Sequence, residues 1–290
     1  MSSFPINKLN PVDFPPLLRE IPQPPQTLNY RGSLPDPDLP LMAVVGSRHF
    51  TNYGQSVVEH LIGGLRGYNI GIVSGLALGI DSLAHQIALD TNLYTLAIPG
   101  GGLNDSVIYP ARHKALARKI LDSGGGLLSE YEPDFHATRW SFPQRNRLVC
   151  GIAAATLVIE AAPKSGSLIT ARMATDYNRE LLVVPGSIFS LNSQGTHQFM
   201  KLGATPITEA NDIVELLHLE KTETDQLAST ADANLSADES SVLNILTQPT
   251  ERDDLIRQLE LPVQVASTLL MDMELQGLIT STENTYRRIQ

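Results

Sequence analysis

The chain has 290 residues, 42% of them hydrophobic, with a mean hydropathy of −0.05, enough apolar material for one large core and a small one. No run of about 18 apolar residues is present to span a membrane, the opening MSSFPINKLNPVDFPP lacks the basic and apolar regions of a secretory signal, and a single Cys150 excludes a disulfide framework, so the sequence predicts a cytoplasmic protein. The net charge of −10 argues against nucleic acid, but 3 basic and 4 acidic side chains fall in residues 1–40, 13 and 15 in 41–220, and 5 and 12 in 221–290, so the acid is concentrated in the last quarter and the central region is free to hold a basic groove.

Residues 1–40 are rich in proline, which fixes φ and is excluded from helix interiors. They predict an extended arm wrapped on the main domain, with Thr27 to Arg31 as an edge strand. From 41 to 220 short apolar runs alternate with longer amphipathic segments. The runs are 41–45, 70–73, 94–98, 126–129, 155–160, 181–184 and 204–207. Their length and bounding glycines fit buried parallel strands. Helices are predicted over Tyr53–Leu65, Ile80–Leu89 and Ala115–Leu121, the first carrying Val57, Val58, Leu61, Ile62 and Leu65 on one face. Alternation of this kind predicts an α/β fold with a doubly wound, mostly parallel sheet. Residues 221–237 show no hydrophobic period and read as a flexible linker. Over 238–290, helices at Glu239–Leu246, Asp253–Leu259 and Val263–Gln276, a stop at Gly277 and a hairpin from Leu278 form the pattern of a small winged helix.

Five strand ends carry residues suited to an anion. Gly46, Ser47 and Arg48 follow the first run: a glycine for close backbone approach, a hydroxyl and a guanidinium fork matched to phosphate. The second turn, Ser74 to His85, holds Gly75, Ala77 and Gly79. Its Asp81 and His85, four residues apart, are read as structural, pinning a loop, rather than as an acid–base pair. The third, Pro99 to Leu103, leads to Arg112 and Lys114. The fourth, Arg139 to Arg147, holds the only tryptophan, Phe142 and the Arg145-Asn146-Arg147 run. Interleaved basic and aromatic groups suit single strands, whose phosphates meet arginines and whose bases stack on flat rings. The fifth, with Lys164, Ser165, Gly166 and Ser167, opens a helix and lacks the spacing of a Walker A loop. No metal-ligand spacing, cofactor motif or nucleophile–base pair is found. Binding of a polyanion is favoured over covalent chemistry.

In order, VVGSR (44–48), Tyr53-Gly54, IVSGLALGIDSLAH (72–85), YP (109–110), LLSEY (127–131), FPQRNRLV (142–149), IEAAPKSGSLITA (159–171), VVPGS (183–187) and GA (203–204) resemble the motifs of the DNA-processing protein A (DprA, Smf) family. The tail resembles that family's winged helix more loosely. The resemblance implies a Rossmann-like domain that dimerises, binds single-stranded DNA in a positive pocket and loads the RecA recombinase in natural transformation, without cofactor or catalytic residue. It places Arg48 in the pocket beside Gly46 and Ser47, Arg112 or Lys114 at the basic position after Tyr-Pro, Arg145 to Arg147 at the Arg-Asn-Arg motif, and Lys164 to Ser167 at the Lys-Ser-Gly-Ser segment. His113 stands where the family often has Asn, PGGGL where a cysteine is common, and the family's N-terminal helical SAM-like domain has no counterpart. The acidic tail is expected to serve partner or self-association. The rival is a nucleotide-binding protein or nucleotide phosphoribohydrolase of the same superfamily, whose Gly-Gly-x-Gly-Thr turn precedes a catalytic Glu; the comparable turn here, Ser165 to Thr170, has no Glu close behind it.

Overall fold

All seven apolar runs become strands of one sheet. The computed structural model describes residues 4–163, 165–222, 236–246, 250–259, 261–275, 278–282 and 285–288. Two strands come from the arm, β1 (Ile6–Leu9) and β2 (Leu28–Gly32). The others are β3 (Leu41–Val45), β4 (Gly71–Ser74), β5 (Tyr94–Ala97), β6 (Gly126–Ser129), β7 (Ala155–Val158), β8 (Glu180–Val183) and β9 (Thr205–Pro206). The order is β1-β2-β6-β5-β4-β3-β7-β8-β9, parallel from β6 to β9. Between them run α2 (Asn52–Gly63), α3 (Ile80–Asp90), α4 (Lys114–Asp122), α5 (Ser141–Gly151), α6 (Ser167–Asp176), α7 (Gln194–Lys201) and α8 (Ala210–Leu217), with α1 (Pro16–Arg19) in the arm.

Alternation along β3 shows how the layers form. Met42 and Val44 pack with Val58, Leu61 and Ile62 of α2, Ile80 and Ala84 of α3 and Ile213 of α8. Leu41, Ala43 and Val45 face the opposite layer, with Leu148 and Val149 of α5, Ala171 of α6 and Leu18 of α1. A strand covered on both faces must be apolar on both, hence the unbroken LMAVV. Cys150 lies in that second layer, and burial pushes its thiol up to about 12, as befits a small packed hydrophobe.

The chain builds outward from β3 to β6, then crosses back to β7 and builds to β9. The reversal falls between β3 and β7. Crossovers leave to opposite faces there, which opens a crevice beyond the carboxyl ends of the strands.

The arm departs from its reading as an extension with an edge strand. β2 is interior, paired antiparallel with both β6 and β1, and the edge is β1. Phe14, Leu18 and Ile21 are buried in the main core. Arg31 in β2 is 2% exposed; it donates to the carbonyls of Phe4 and Leu103 and pairs with Asp105. The segment is held by ladder bonds and a satisfied buried cation, which proline content alone does not disclose.

The chain divides into two compact units, Met1–Thr222 and Glu223–Gln290. The expected linker lies, for residues 223–235, outside the described residues, as do Gln276 and Gly277. The second unit has α9 (Ala237–Ile245), α10 (Arg252–Gln258) and α11 (Val263–Leu275), and strands β10 (Thr250–Glu251), β11 (Ile279–Thr282) and β12 (Thr285–Arg288) in the order β10-β12-β11. Ser236 and Glu239 form a capping box at α9. Val242, Leu255, Leu270, Met273 and Ile279 form its own core. The short β10, with two residues paired to β12, is too brief to show a sequence period.

Candidate nucleic-acid interface

The turn after β3 and the start of α6, after β7, meet at the topological switch. Ser167 donates from its hydroxyl to the Gly46 carbonyl at 2.7 Å, buried. Ser47 folds back on itself, donating to the His49 carbonyl at 2.8 Å and accepting from the His49 N–H at 3.1 Å. Its own carbonyl accepts from Ile80 N–H at 3.1 Å, which seats α3 against this turn. Gly79 makes that approach possible. Its φ is +89°, and a Cβ there would collide with the Ser47 carbonyl and sit 2.6 Å from the Arg48 Cα, so only glycine fits.

Arg48 projects from this turn. It is exposed, and it has no ion pair among the described residues. Its guanidinium lies 5.5 Å from the centre of the Phe142 ring, a cation–π arrangement that orients a fork of donors without neutralising it. Phe142 sits in the first turn of α5, where Pro143 is tolerated because the first helical N–H groups have no intrahelical partner. The Tyr109 ring is 5.7 Å from Phe142. Arg139 is exposed, and Trp140 is 86% exposed. Tyr109 adds a second ring that residue spacing does not assign to the site, since it is 33 positions from Phe142, while the exposed Trp140 stands two residues before Phe142 in the run already read from the sequence. The Tyr-Pro pair before a basic turn is the signal that was available. Arg112 and Lys114 are exposed on that turn. His113 between them donates from Nδ1 to the Leu76 carbonyl at 2.8 Å, which docks the turn on the loop after β4.

Beneath this surface lies a buried support. Gly75 is gripped at both ends of its backbone. Its N–H donates to Asp81 Oδ2 at 3.1 Å, and its carbonyl accepts from Arg145, which also donates to the Ile98 carbonyl. Ala77, half-exposed, gives a second backbone N–H to Asp81. Burial raises the Asp81 carboxyl and lowers Arg145 to about 10, while their mutual attraction opposes both shifts. Arg145 is 3% exposed, and this corrects the expectation that it meets phosphate. It joins the ends of β4 and β5 from below. Asn146 is half-buried and accepts from Arg145 Nε at 3.2 Å. Arg147 is corrected likewise: it is buried on another side of α5, paired with Glu130. Two residues along a helix point about 200° apart, so Arg145 and Arg147 cannot face one strand together. Ser167, with its hydroxyl on Gly46, belongs to the support. Ser165 and Gly166 remain open at the surface, Ser165 sharing a 3.0 Å hydrogen bond with Ser167. Lys164 lies outside the described residues.

Asp81 and His85 act separately. His85 Nδ1 meets the Thr95 hydroxyl at 2.7 Å, and that hydroxyl donates to the Ile72 carbonyl at 3.0 Å. The proton between them therefore belongs to Nδ1. Burial holds the His85 imidazole neutral, lowered to about 3.

The loops after β3, β4, β7 and β8 carry no exposed carboxylate, whereas Asp105 after β5 and Glu132 and Asp134 after β6 are exposed. Residues 46–58, 75–80, 98–104, 135–159, 161–175 and 181–208 contain no Asp or Glu. Asp81 and Glu160, which interrupt them, are buried, the latter accepting from the Thr51 N–H and hydroxyl at 2.9 and 2.6 Å. An acidic chain thus presents, over the loops after β3, β4, β7 and β8, a stretch of edge on which cations are not offset by exposed carboxylates. Among the described residues, no helix is long and apolar enough to cross a membrane and no group of three or more His, Cys, Asp or Glu could hold a metal ion.

The family model for DNA recombination-mediator protein A matches residues 7–218. The chain belongs to the DprA (Smf) family. A model of the DprA winged helix domain matches residues 226–284, so the second unit is the winged helix of this family. Protein Smf of Escherichia coli (strain K12) is 36% identical over 255 residues, which cover 86% of this chain and 68% of that protein. DNA processing protein DprA of Streptococcus pneumoniae is 39% identical over 68% of each chain. A putative DNA processing protein DprA of Mycobacterium tuberculosis is 42% identical, and there the match spans less than half of the relative, 44%. The X-ray structure of the S. pneumoniae protein superposes with a TM-score of 0.66 at 37% identity, covering 74% of each chain. DNA processing protein A from Helicobacter pylori, whose structure was solved for its unique single-stranded DNA binding mode, gives 0.65 at 30% identity over 74% of this chain and 97% of that one.

Proposed function

We propose that this DprA-family member binds single-stranded DNA along the carboxyl edge of its parallel sheet and loads the RecA recombinase onto it in natural transformation. The observation that carries this reading is the exposed Arg48, stacked on Phe142 and lacking an ion pair among the described residues, at the switch point of a sheet whose relative in H. pylori has a single-stranded DNA binding mode. Arg48, Arg112, Lys114 and Lys164 meet phosphates. Phe142 stacks a base. The backbone around Ser47, Ala77, Ser165 and Gly166 lets the strand approach closely, and Asn146 offers an amide at the margin. Gly46 and Gly79, buried against Ile80 and the Ser47–Arg48 backbone, join Gly75, Arg145, Arg147 and Ser167 in holding the loops that do this. In this reading the protein works as a cytoplasmic homodimer and not as an enzyme; the carboxylates that follow β4 and β7, Asp81 and Glu160, are committed to loop hydrogen bonds.

The test is fluorescence anisotropy of labelled oligothymidylate with unlabelled single strand, duplex and AMP as competitors. Displacement by single strands alone, followed by faster RecA filament formation on coated DNA, supports the reading. Displacement by AMP, with release of free adenine, replaces it with the nucleotide-binding or phosphoribohydrolase alternative. Light scattering checks the dimer.

A further inference from the structure

Beyond the Arg48–Phe142 platform, the loop between β8 and α7 presents Ile188, Phe189 and Leu191 at 75%, 91% and 67% exposure. It leaves the carboxyl end of β8, so it stands on the same edge of the sheet. We infer that Phe189, flanked by Ile188, is a second stacking site for bases of the same single strand; this rests on the single-strand reading above.

The loop is built to hold its shape. Phe189 N–H donates to the Ser187 hydroxyl at 3.3 Å, Ser190 N–H to the Ser187 carbonyl at 3.0 Å, and Ser193 N–H to the Ser190 carbonyl at 3.2 Å. It is moored at its base. Asn192 donates from its side chain to the His49 carbonyl at 3.2 Å and accepts at its own carbonyl from Ala161 N–H at 2.7 Å. His49 is the neighbour of Arg48, so the loop is bonded directly to the turn that carries the phosphate-binding arginine. A ring held on a fixed loop stacks a base at little further cost in conformational entropy.

The occupant follows from continuity and charge. Residues 181–208 contain no carboxylate, so a polyanion leaving Arg48 meets no repulsion there. Four strand intervals separate β5, beneath Phe142, from β8, roughly 19 Å at the usual strand spacing. That is about six nucleotides at a stacked rise of about 3.4 Å, and fewer when the strand is stretched. A protein partner asks for a broad apolar core with a polar rim; here three side chains stand on one turn among Ser187, Ser190 and Ser193.

The experiment compares Phe189→Ala with Arg48→Ala on oligothymidylates of about four and about twelve nucleotides. Phe189→Ala is expected to lose about tenfold in affinity for the longer oligonucleotide and under about twofold for the shorter, the size of one lost base stack. Phe189→Trp is expected to restore binding, and in a Trp140→Phe background its fluorescence is expected to be quenched only by the longer strand. Arg48→Ala is expected to weaken both. A folded Phe189→Ala protein that binds both lengths as the parent does, while Arg48→Ala does not, overturns the second site and leaves the first standing. A Phe189→Ala protein changed in oligomeric state but not in DNA affinity overturns it in favour of a contact between copies. Failure of the unsubstituted protein to bind either oligonucleotide overturns both.

Discussion

Arg48 and Phe142 are in contact, the guanidinium 5.5 Å from the ring centre, so in the proposed reading they act as one unit. Arg48→Ala removes a charged hydrogen bond to phosphate and should cost about 1–3 kcal/mol of single-strand affinity. Arg48→Lys should recover only part of it, since an ammonium keeps the charge but neither the fork nor the stacking. Arg48→Ala and Phe142→Ala measured singly and together in the anisotropy titration should give less than additive losses, as expected of residues in contact. His85 makes a separate prediction about stability. Its folded-state value of about 3 lies below the ordinary 6.5. The unfolded chain therefore binds the proton more tightly, and the stability held above pH 6.5 is lost as pH falls from there toward 3. The slope approaches about 1.4 kcal/mol per pH unit for the one proton. His85→Gln should flatten that part of the urea-unfolding profile. Arg48 was legible in the sequence because a glycine-bounded strand end predicts exposure. The burial of Arg145 and Arg147 is not legible there: their spacing is, but their partners, the Gly75 carbonyl and the Glu130 carboxylate, are brought to them only by tertiary folding.

The turns are more demanding than the strands and helices they join. β4 reaches α3 through a loop in which Leu76 and Gly79 both take positive φ, +57° and +89°. Gly79 is pressed onto the backbone of the turn after β3, so Gly79→Ala must either strain this loop or push Arg48 away from Phe142. The expected result is a loss of more than about 1 kcal/mol in stability, the usual cost of alanine at an incompatible φ, together with weakened oligonucleotide binding. A variant with unchanged melting temperature and affinity would show that the two loops do not depend on each other. The parallel strands were readable from sequence because burial on both faces leaves an unbroken apolar run. β2 does not read as an interior strand, because its LNYRG carries an arginine, which the fold buries. Only the carbonyls of Phe4 and Leu103 and the carboxylate of Asp105, brought together by folding, make Arg31 acceptable between two strands.

Taken as a molecule, the chain separates its charge from its task. Residues 1–222 hold 17 basic and 19 acidic side chains, and residues 223–290 hold 4 and 12. The first unit has the complete sheet, both helical layers and every residue proposed to touch DNA. The second has its own core and a composition that repels phosphate. At low salt a charge of that sign tethered to the first unit should slow the approach of a polyanion, and added salt screens it over a Debye length of about 10 Å at 0.1 M. A chain ending at residue 222 should therefore bind oligothymidylate at least as tightly as the whole protein in low salt, with the two affinities converging as salt rises. Both should weaken with salt at the shallower slope of single strands, about 0.7 per phosphate contacted. Anisotropy titrations of the two chains over a salt series measure this directly. Tenfold tighter binding by the whole protein at every salt concentration would instead make the winged helix a DNA-contacting unit despite its charge.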